Sequence, residues 1–332
     1  MVAEPGLIVG HETISLAFDI PVRAANQLRR NCIWREDRRS RRAMSQRSLP
    51  PSGDHCALLH AAGGEAALCT LVGIDGSFSR RVGTQLAVSR DGTRAGDMAD
   101  KCLDDELVSQ SLAAMAEGRP RLLRYGRGSP AVDFRLPCGS GLDILIDPAP
   151  DRAALASCIA DLDARREAAL PLPLPEDAAP GLLGERRYVP RLRLVLMGAG
   201  IESAALVRLA AAQGIPVEWR EPGQGLSLGQ APGGVAADAW TAVLLLFHDH
   251  EWEHALLDWA LGTPAFYIGA QGGAPAREER LRRLSAAGHT DAELARITSP
   301  VGLIPRARDP AVLALSVLAE IVGAYEGLHP HR

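Results

Sequence analysis

The sequence predicts an α/β protein in two parts, an N-terminal α+β module followed by a C-terminal domain built on a parallel sheet. Three observations carry that expectation. From residue 191 onward, apolar runs of strand length alternate with amphipathic helical stretches, a pattern that needs a parallel sheet covered on both faces. Between residues 65 and 146 short strands cluster around one amphipathic helix instead. The proline-rich run PLPLPEDAAPG at 171–181 separates the two patterns. The division that follows is an extension over 1–53, an α+β module over 54–170, a linker over 171–190 and a second domain over 191–328.

In the first module, 66–74 reads as a strand, 75–83 (DGSFSRRVG) as a glycine-bounded loop and 84–89 as a second strand before the Asp91-Gly92 turn. Leu103, Leu107, Val108, Leu112 and Met115 have the spacing of an amphipathic helix, with Asp104, Asp105 and Glu106 in its first turn, where the helix dipole favours acids. Strands are expected at 121–125, 132–136 and 142–146, and a helix over 152–168. In the second domain strands are expected at 192–197, 215–221, 241–247 and 265–268, and helices at 202–213, 251–261, 276–287, 291–297 and 310–324.

Composition narrows the function. The 332 residues are 47% apolar and 23% charged, which suits two ordinary cores. A net charge of -4 and 4% aromatics argue against a nucleic-acid binder, which needs a basic face or a stacking platform. The six cysteines (Cys32, Cys56, Cys69, Cys102, Cys138 and Cys158) form no CxxC, so reduced thiols in a cytoplasmic protein are expected. No leader-like N-terminus and no apolar run of about 20 residues is present, so neither export nor membrane insertion is expected. The basic run at 29–47 reads as a solvated arm, with a partner-docking or phosphate-binding arm as the alternative.

Three places could carry chemistry. Gly198-Ala199-Gly200-Ile201-Glu202-Ser203 follows a strand and opens a helix, the context in which a GxGxx(G/S) turn brings backbone N–H groups to a phosphate. That makes the second domain Rossmann-type, and Glu221 stands where an acid can bind a ribose hydroxyl. Against a dinucleotide, Ser203 replaces the third glycine and Glu202 places an acid beside the phosphate. The second place is the run from Phe247 to His254, at the carboxyl end of a buried strand, where open α/β sheets hold ligands. It contains His248, Asp249 and His250, and it also fits H-E-x-x-H through His250, Glu251 and His254, with Glu278 or Glu279 as a further ligand of a zinc hydrolase. The third is Cys102 at a helix start beside Lys101, the only lysine, where the thiol pKa should fall, although Asp100, Asp104 and Asp105 oppose that. Cys138 is a second thiol, on the glycine turn Gly139-Ser140-Gly141.

Several segments together resemble the xanthine dehydrogenase accessory protein family (XdhC/CoxI). They are 76–88 (GSFSRRVGTQLAV), 102–108 (CLDDELV), 136–142 (LPCGSGL), Gly198-Ala199-Gly200, His248-Asp249-His250, 267–270 (YIGA), 299–303 (SPVGL) and 315–322 (LSVLAEIV). The resemblance spans about residues 65 to 325. It implies a maturation chaperone, rather than a turnover enzyme, that binds the molybdenum cofactor (molybdopterin). It further implies association with a cysteine desulfurase during sulfuration, delivery of the cofactor to a molybdenum hydroxylase apo-subunit, and a homodimer. In that role Cys102 and Cys138 would handle sulfur or ligate softly, and Arg80 and Arg81 would anchor an anion. Gln85, Gly139, Glu221 and Gly269 would join the cofactor site, Gly198, Gly200 and Ser203 the phosphate cradle, and His248, Asp249 and His250 would line a cleft between the modules. The sequence departs from the family at Asp100-Lys101, where Gly-Gly is usual, and at Ser140, Gly273-Ala274, Ile304 and Arg306. Three rivals stand beside this reading. One is an NAD(P)-dependent oxidoreductase, one the zinc hydrolase at His250 and His254, and one a binding protein that has lost catalysis.

Overall fold

The computed structural model describes residues 53–98, 101–130 and 139–331. The extension over 1–52, the strand expected at 132–136 and Cys138 lie outside these residues.

The first module is a five-stranded sheet of order β3-β2-β1-β5-β4, with β1 Ala66–Asp75, β2 Gln85–Ser89, β3 Arg94–Gly96, β4 Arg121–Gly126 and β5 Gly141–Asp147. Every pairing is antiparallel, and β1 bonds to both β2 and β5. Alternate residues of a strand face opposite sides, and here both sides are covered. Ala67, Cys69 and Leu71 pack with Leu103, Leu107 and Ala114 of α2 (Lys101–Glu117). Leu68 and Ala87 pack with Ala57, Leu58 and Ala61 of α1 (Gly53–Gly63) and with Leu155 and Cys158 of α3 (Arg152–Asp163). Burial on both faces explains why β1 reads as an unbroken apolar run.

Asp151 caps α3 by accepting from the amides of Ala153 and Ala154. The helix stops at Asp163 rather than near 168, because Arg165 turns the chain with a left-handed φ of 61°. Residues 171–190 are not a free spacer either. Strand β6 (Ala168–Pro171) pairs antiparallel with β7 (Glu185–Tyr188), and Leu170 and Tyr188 enter the core beneath α1 and α3. Proline sits at the end of β6, in a two-stranded ribbon where a missing ladder donor is tolerated.

The second domain is a parallel sheet of order β10-β9-β8-β11-β12-β13: β8 Arg193–Gly198, β9 Val217–Pro222, β10 Gly225–Leu226, β11 Thr241–Leu246, β12 Tyr267–Ala270 and β13 Ile297–Thr298. One face packs on α4 (Ile201–Ala212) and α8 (Pro310–Glu326) through Leu206, Ala210, Val317 and Ile321. The other packs on α5 (Glu253–Leu261), α6 (Ala274–Ala286) and α7 (Asp291–Leu294) through Leu256, Leu257, Leu284 and Leu294. The helix expected over 291–297 is only one turn, held by a Thr290–Glu293 capping box, after which the chain joins the sheet as β13. Chain order reverses between β8 and β11, and that switch point opens a crevice at the carboxyl ends of the strands.

Several bonds tie the module to the domain. Arg165 pairs with both carboxylate oxygens of Asp238 at 2.8 and 3.0 Å and donates to the carbonyls of Arg191 and Trp240. Arg81 reaches Glu326 at 2.7 Å, Tyr325 donates to the Pro190 carbonyl, and the Arg187 amide donates to His331. Among the described residues no helix is long and apolar enough to cross a membrane.

Candidate functional site

At the switch point, β8 ends on Gly198 (φ 146°) and Gly200 (φ 101°) caps α4, two backbone conformations that favour glycine. No side chain caps α4, so its first amides are free to meet an acceptor. The chain supplies a competing acid. Glu202 Oε2 lies 3.4 Å from where a Cβ on Gly200 would be, and its Oε1 is 3.6 Å from His248 Nε2 across the switch point. His248 is well exposed and Glu202 mostly covered. Trp219 Nε1 donates to the Gly198 carbonyl at 2.8 Å and fixes the turn from β9. Glu221, also on β9, is partly exposed at the same end of the sheet.

Ser203 does not face this turn from the solvent side. It is fully buried, and its hydroxyl has no hydrogen-bond partner. Gly269 is also a packing residue, since a Cβ there would meet Tyr267, Val301 and Leu244 in the interior.

Past β11 the chain enters a short 3-10 helix, His250–Trp252, capped by Asp249 accepting from the Glu251 amide at 3.0 Å. The H-E-x-x-H run is therefore split between that turn and α5 rather than carried on one α-helix. Among the described residues no group of three His, Cys, Asp or Glu side chains is placed to hold a metal ion. Glu253, at the start of α5, is instead one half of a buried ion pair with Arg280 of α6, the two side chains being 3% and 4% exposed. Arg280 Nε and Nη2 both donate to Glu253 Oε2, at 2.9 and 2.7 Å. The same guanidinium donates to Ser299 Oγ and to the Gln271 carbonyl, joining the carboxyl ends of β12 and β13. Glu253 Oε1 accepts no hydrogen bond; His250 Nδ1 is 3.1 Å away but outside hydrogen-bond geometry. A cavity of about 170 Å³ opens beside this pair, with Asp249, His250, His254, Ala276 and Arg283 among its walls.

The structure distributes the expected residues of the first module differently. Gln85 is a core residue, its amide held by Thr70 and by the Tyr188 hydroxyl at 2.6 Å. Arg80 is paired with Asp97 and Arg81 with Glu326. The backbone of Cys102 lies in the first turn of α2. Gly139 has a left-handed φ of 68° and open space around it. The neighbouring Ser140 hydroxyl donates to the Ser77 carbonyl, which brings the 76–85 and 139–142 segments together. Of the remaining thiols, burial pushes the Cys69 pKa up to about 12 against the lowering effect of its Ser111 hydrogen bond, and burial also raises Cys158. A second cavity, of about 350 Å³ beside Arg90, Met115 and Arg152, contains none of the expected site residues.

The XdhC Rossmann domain family matches residues 194–321, and the XdhC and CoxI family matches 59–126. The chain is 34% identical over 285 residues to the molybdenum cofactor insertion chaperone PaoD of Escherichia coli (strain K12), covering 81% of this chain and 88% of that relative. This chain belongs to the XdhC and CoxI family. It is also 23% identical to a probable xanthine dehydrogenase subunit of Bacillus subtilis (strain 168), over 78% of this chain and 92% of that one. A crystal structure described as a xanthine dehydrogenase from Bacillus halodurans superposes with a TM-score of 0.63, covering 84% of this chain and 97% of that one; at 21% identity this is a likeness of fold alone.

Within this XdhC/CoxI chain, both matched regions contain expected site residues, while Gly139 and the β6–β7 ribbon fall between them. Sequence reasoning missed Glu253, Arg280 and Ser299. Glu253 was hidden inside a run that reads as a metal motif, and Arg280 inside the charged helix REERLRR. The available signal was an acid in the first turn after a strand at the ligand edge, and it needed the partner from α6 to acquire meaning.

Proposed function

We propose that this chain is a molybdenum cofactor-binding maturation chaperone for a xanthine dehydrogenase-type molybdenum hydroxylase, holding the cofactor as cargo and passing it to the apo-subunit. The observation that carries this reading is the 34% identity to a cofactor insertion chaperone across 88% of that protein's length. The geometry supports it through an uncapped helix N-terminus on a glycine turn at the switch point, which suits the cargo's phosphate. A phosphate seated there displaces the Glu202 carboxylate, and His248 is within 3.6 Å to receive it.

Cys102 and Cys138 are assigned to sulfur handling or soft ligation of molybdenum, and a cysteine desulfurase is the partner that would charge the cofactor. Arg80 and Arg81 serve as anion anchors only by exchanging their present carboxylate partners. Glu221 contacts the cargo's tail if the tail carries a ribose, and Gly139 lets backbone approach the cargo from the first module. The working assembly is a homodimer. An NAD(P)-dependent oxidoreductase would use the same glycine turn and meet the same Glu202 carboxylate, and it gives the cysteines of the first module no role.

The test is purification from cells that make molybdopterin and from cells that do not, followed by oxidation and measurement of pterin fluorescence. Stoichiometric pterin from the first source only, diminished in a Cys102→Ala and Cys138→Ala double variant, is the expected result. Wild-type protein without pterin would sink the carrier reading.

A further inference from the structure

The cavity beside Glu253 and Arg280 has no part in phosphate binding, yet it opens on the ligand edge. Its wall residue His250 is two residues, at most about 7 Å of chain, beyond His248, whose ring is 3.6 Å from Glu202 on α4. Its about 170 Å³ is the liquid volume of roughly five to six waters, enough for one small planar ring system.

The floor of the cavity has an asymmetric donor and acceptor pattern. Two guanidinium donors of Arg280 converge on one oxygen, Glu253 Oε2, and two more are taken by Ser299 and Gln271. Glu253 Oε1 is left out of water without a hydrogen bond, at a depth where an unused acceptor is costly. His250 Nδ1 lies 3.1 Å from it, and that side chain is 45% exposed. The walls combine imidazole rings of His250 and His254 and the apolar Ala276 and Leu284, on which a flat heterocycle can lie, with a charged rim of Asp249, Glu251, Glu279 and Arg283.

We propose that this cavity binds the 2-amino-4-oxopyrimidine edge of a fused heterocycle, its amino group donating to Glu253 Oε1 once His250 swings aside. Pterin and guanine share that edge, so the site would hold the ring end of a cargo whose phosphate lies on the glycine turn. This assignment rests on the carrier reading for its ligand and on the orphaned oxygen for its position.

The experiment titrates the full chain by calorimetry with pterin, with guanosine, and with lumazine, in which oxygen replaces the 2-amino group. Pterin or guanosine is expected to bind at least tenfold more tightly than lumazine, and whichever binds more tightly identifies the source of the edge. Ala276→Phe fills the cavity and keeps both members of the ion pair, and should weaken that binding at least tenfold at an unchanged melting temperature. Glu253→Gln should abolish the preference over lumazine. Equal affinity for lumazine, no binding of either ring, or full binding by Ala276→Phe overturns the assignment. Cofactor co-purification separates the two ideas. If Ala276→Phe retains cofactor like the wild type, the carrier reading stands and this site falls. If the wild type itself carries none while the pterin titration succeeds, the reverse holds.

Discussion

The α-carbon of Gly198 is pressed against the backbone of Leu246, so that any Cβ on it would lie 2.8 Å from the Leu246 carbonyl carbon. The two residues end neighbouring parallel strands at the switch point. Gly198→Ala meets both a φ of 146° and that backbone wall. Summing backbone strain and over-packing, it should destabilise the protein by roughly 2–6 kcal/mol. Chemical denaturation measures the loss; a variant as stable as wild type would mean that the turn relaxes freely.

Arg280→Ala strands the Glu253 carboxylate in the interior. A loss of about 3–5 kcal/mol is expected, the usual result of removing one partner of a buried pair. Replacing both, with Glu253→Leu and Arg280→Met, should cost far less, because no charge remains to be desolvated. Comparing the two denaturation midpoints tests whether the pair is structural in this sense. Equal losses would contradict it.

Asp238 gives the fold an acid-sensitive contact. Burial raises its pKa, but the hydrogen bonds from Arg165, Thr241 and the Trp240 amide together outweigh burial and bring it to about 2. A carboxyl held below its unfolded value of about 3.9 stabilises the protein above that pH and loses its contribution as pH falls toward 2. The stability gap between wild type and Asp238→Asn should therefore be widest above pH 5 and shrink through pH 4 to 2. A gap independent of pH would refute the assignment.

Cys69 should be inert in the native protein. With its pKa pushed up to about 12 by burial, almost no thiolate forms at pH 8, and the sulfur is inaccessible. Brief alkylation followed by peptide mass mapping should leave Cys69 unmodified until denaturant is added. Rapid labelling of folded protein would show that β1 opens locally.

Much of the fold was legible because strand runs and helical spacing are local signals. The alternation from residue 192 to 324 located all but the shortest parallel strands, and the glycine turn alone marked the switch point. The ribbon of β6 and β7 was not legible. Its prolines imitate a linker, and only burial of Leu170 and Tyr188 under distant helices makes it a ribbon. The site was less legible than the fold for the same reason. Gln85 looked like a ligand because it lies in a motif, yet Thr70 and Tyr188, 15 residues before it and 103 after, hold it in the core. The Glu253–Arg280 pair spans 27 residues and two helices, with no local pattern to announce it.

Arg165 combines a left-handed backbone turn with a guanidinium that grips Asp238 and two carbonyls of the second domain. The same joint is fastened again at Glu326, Tyr325 and His331. If the chain carries a cargo as proposed, the exposed side chains of His248 and His250 are groups at the strand ends that could turn aside without disturbing that joint.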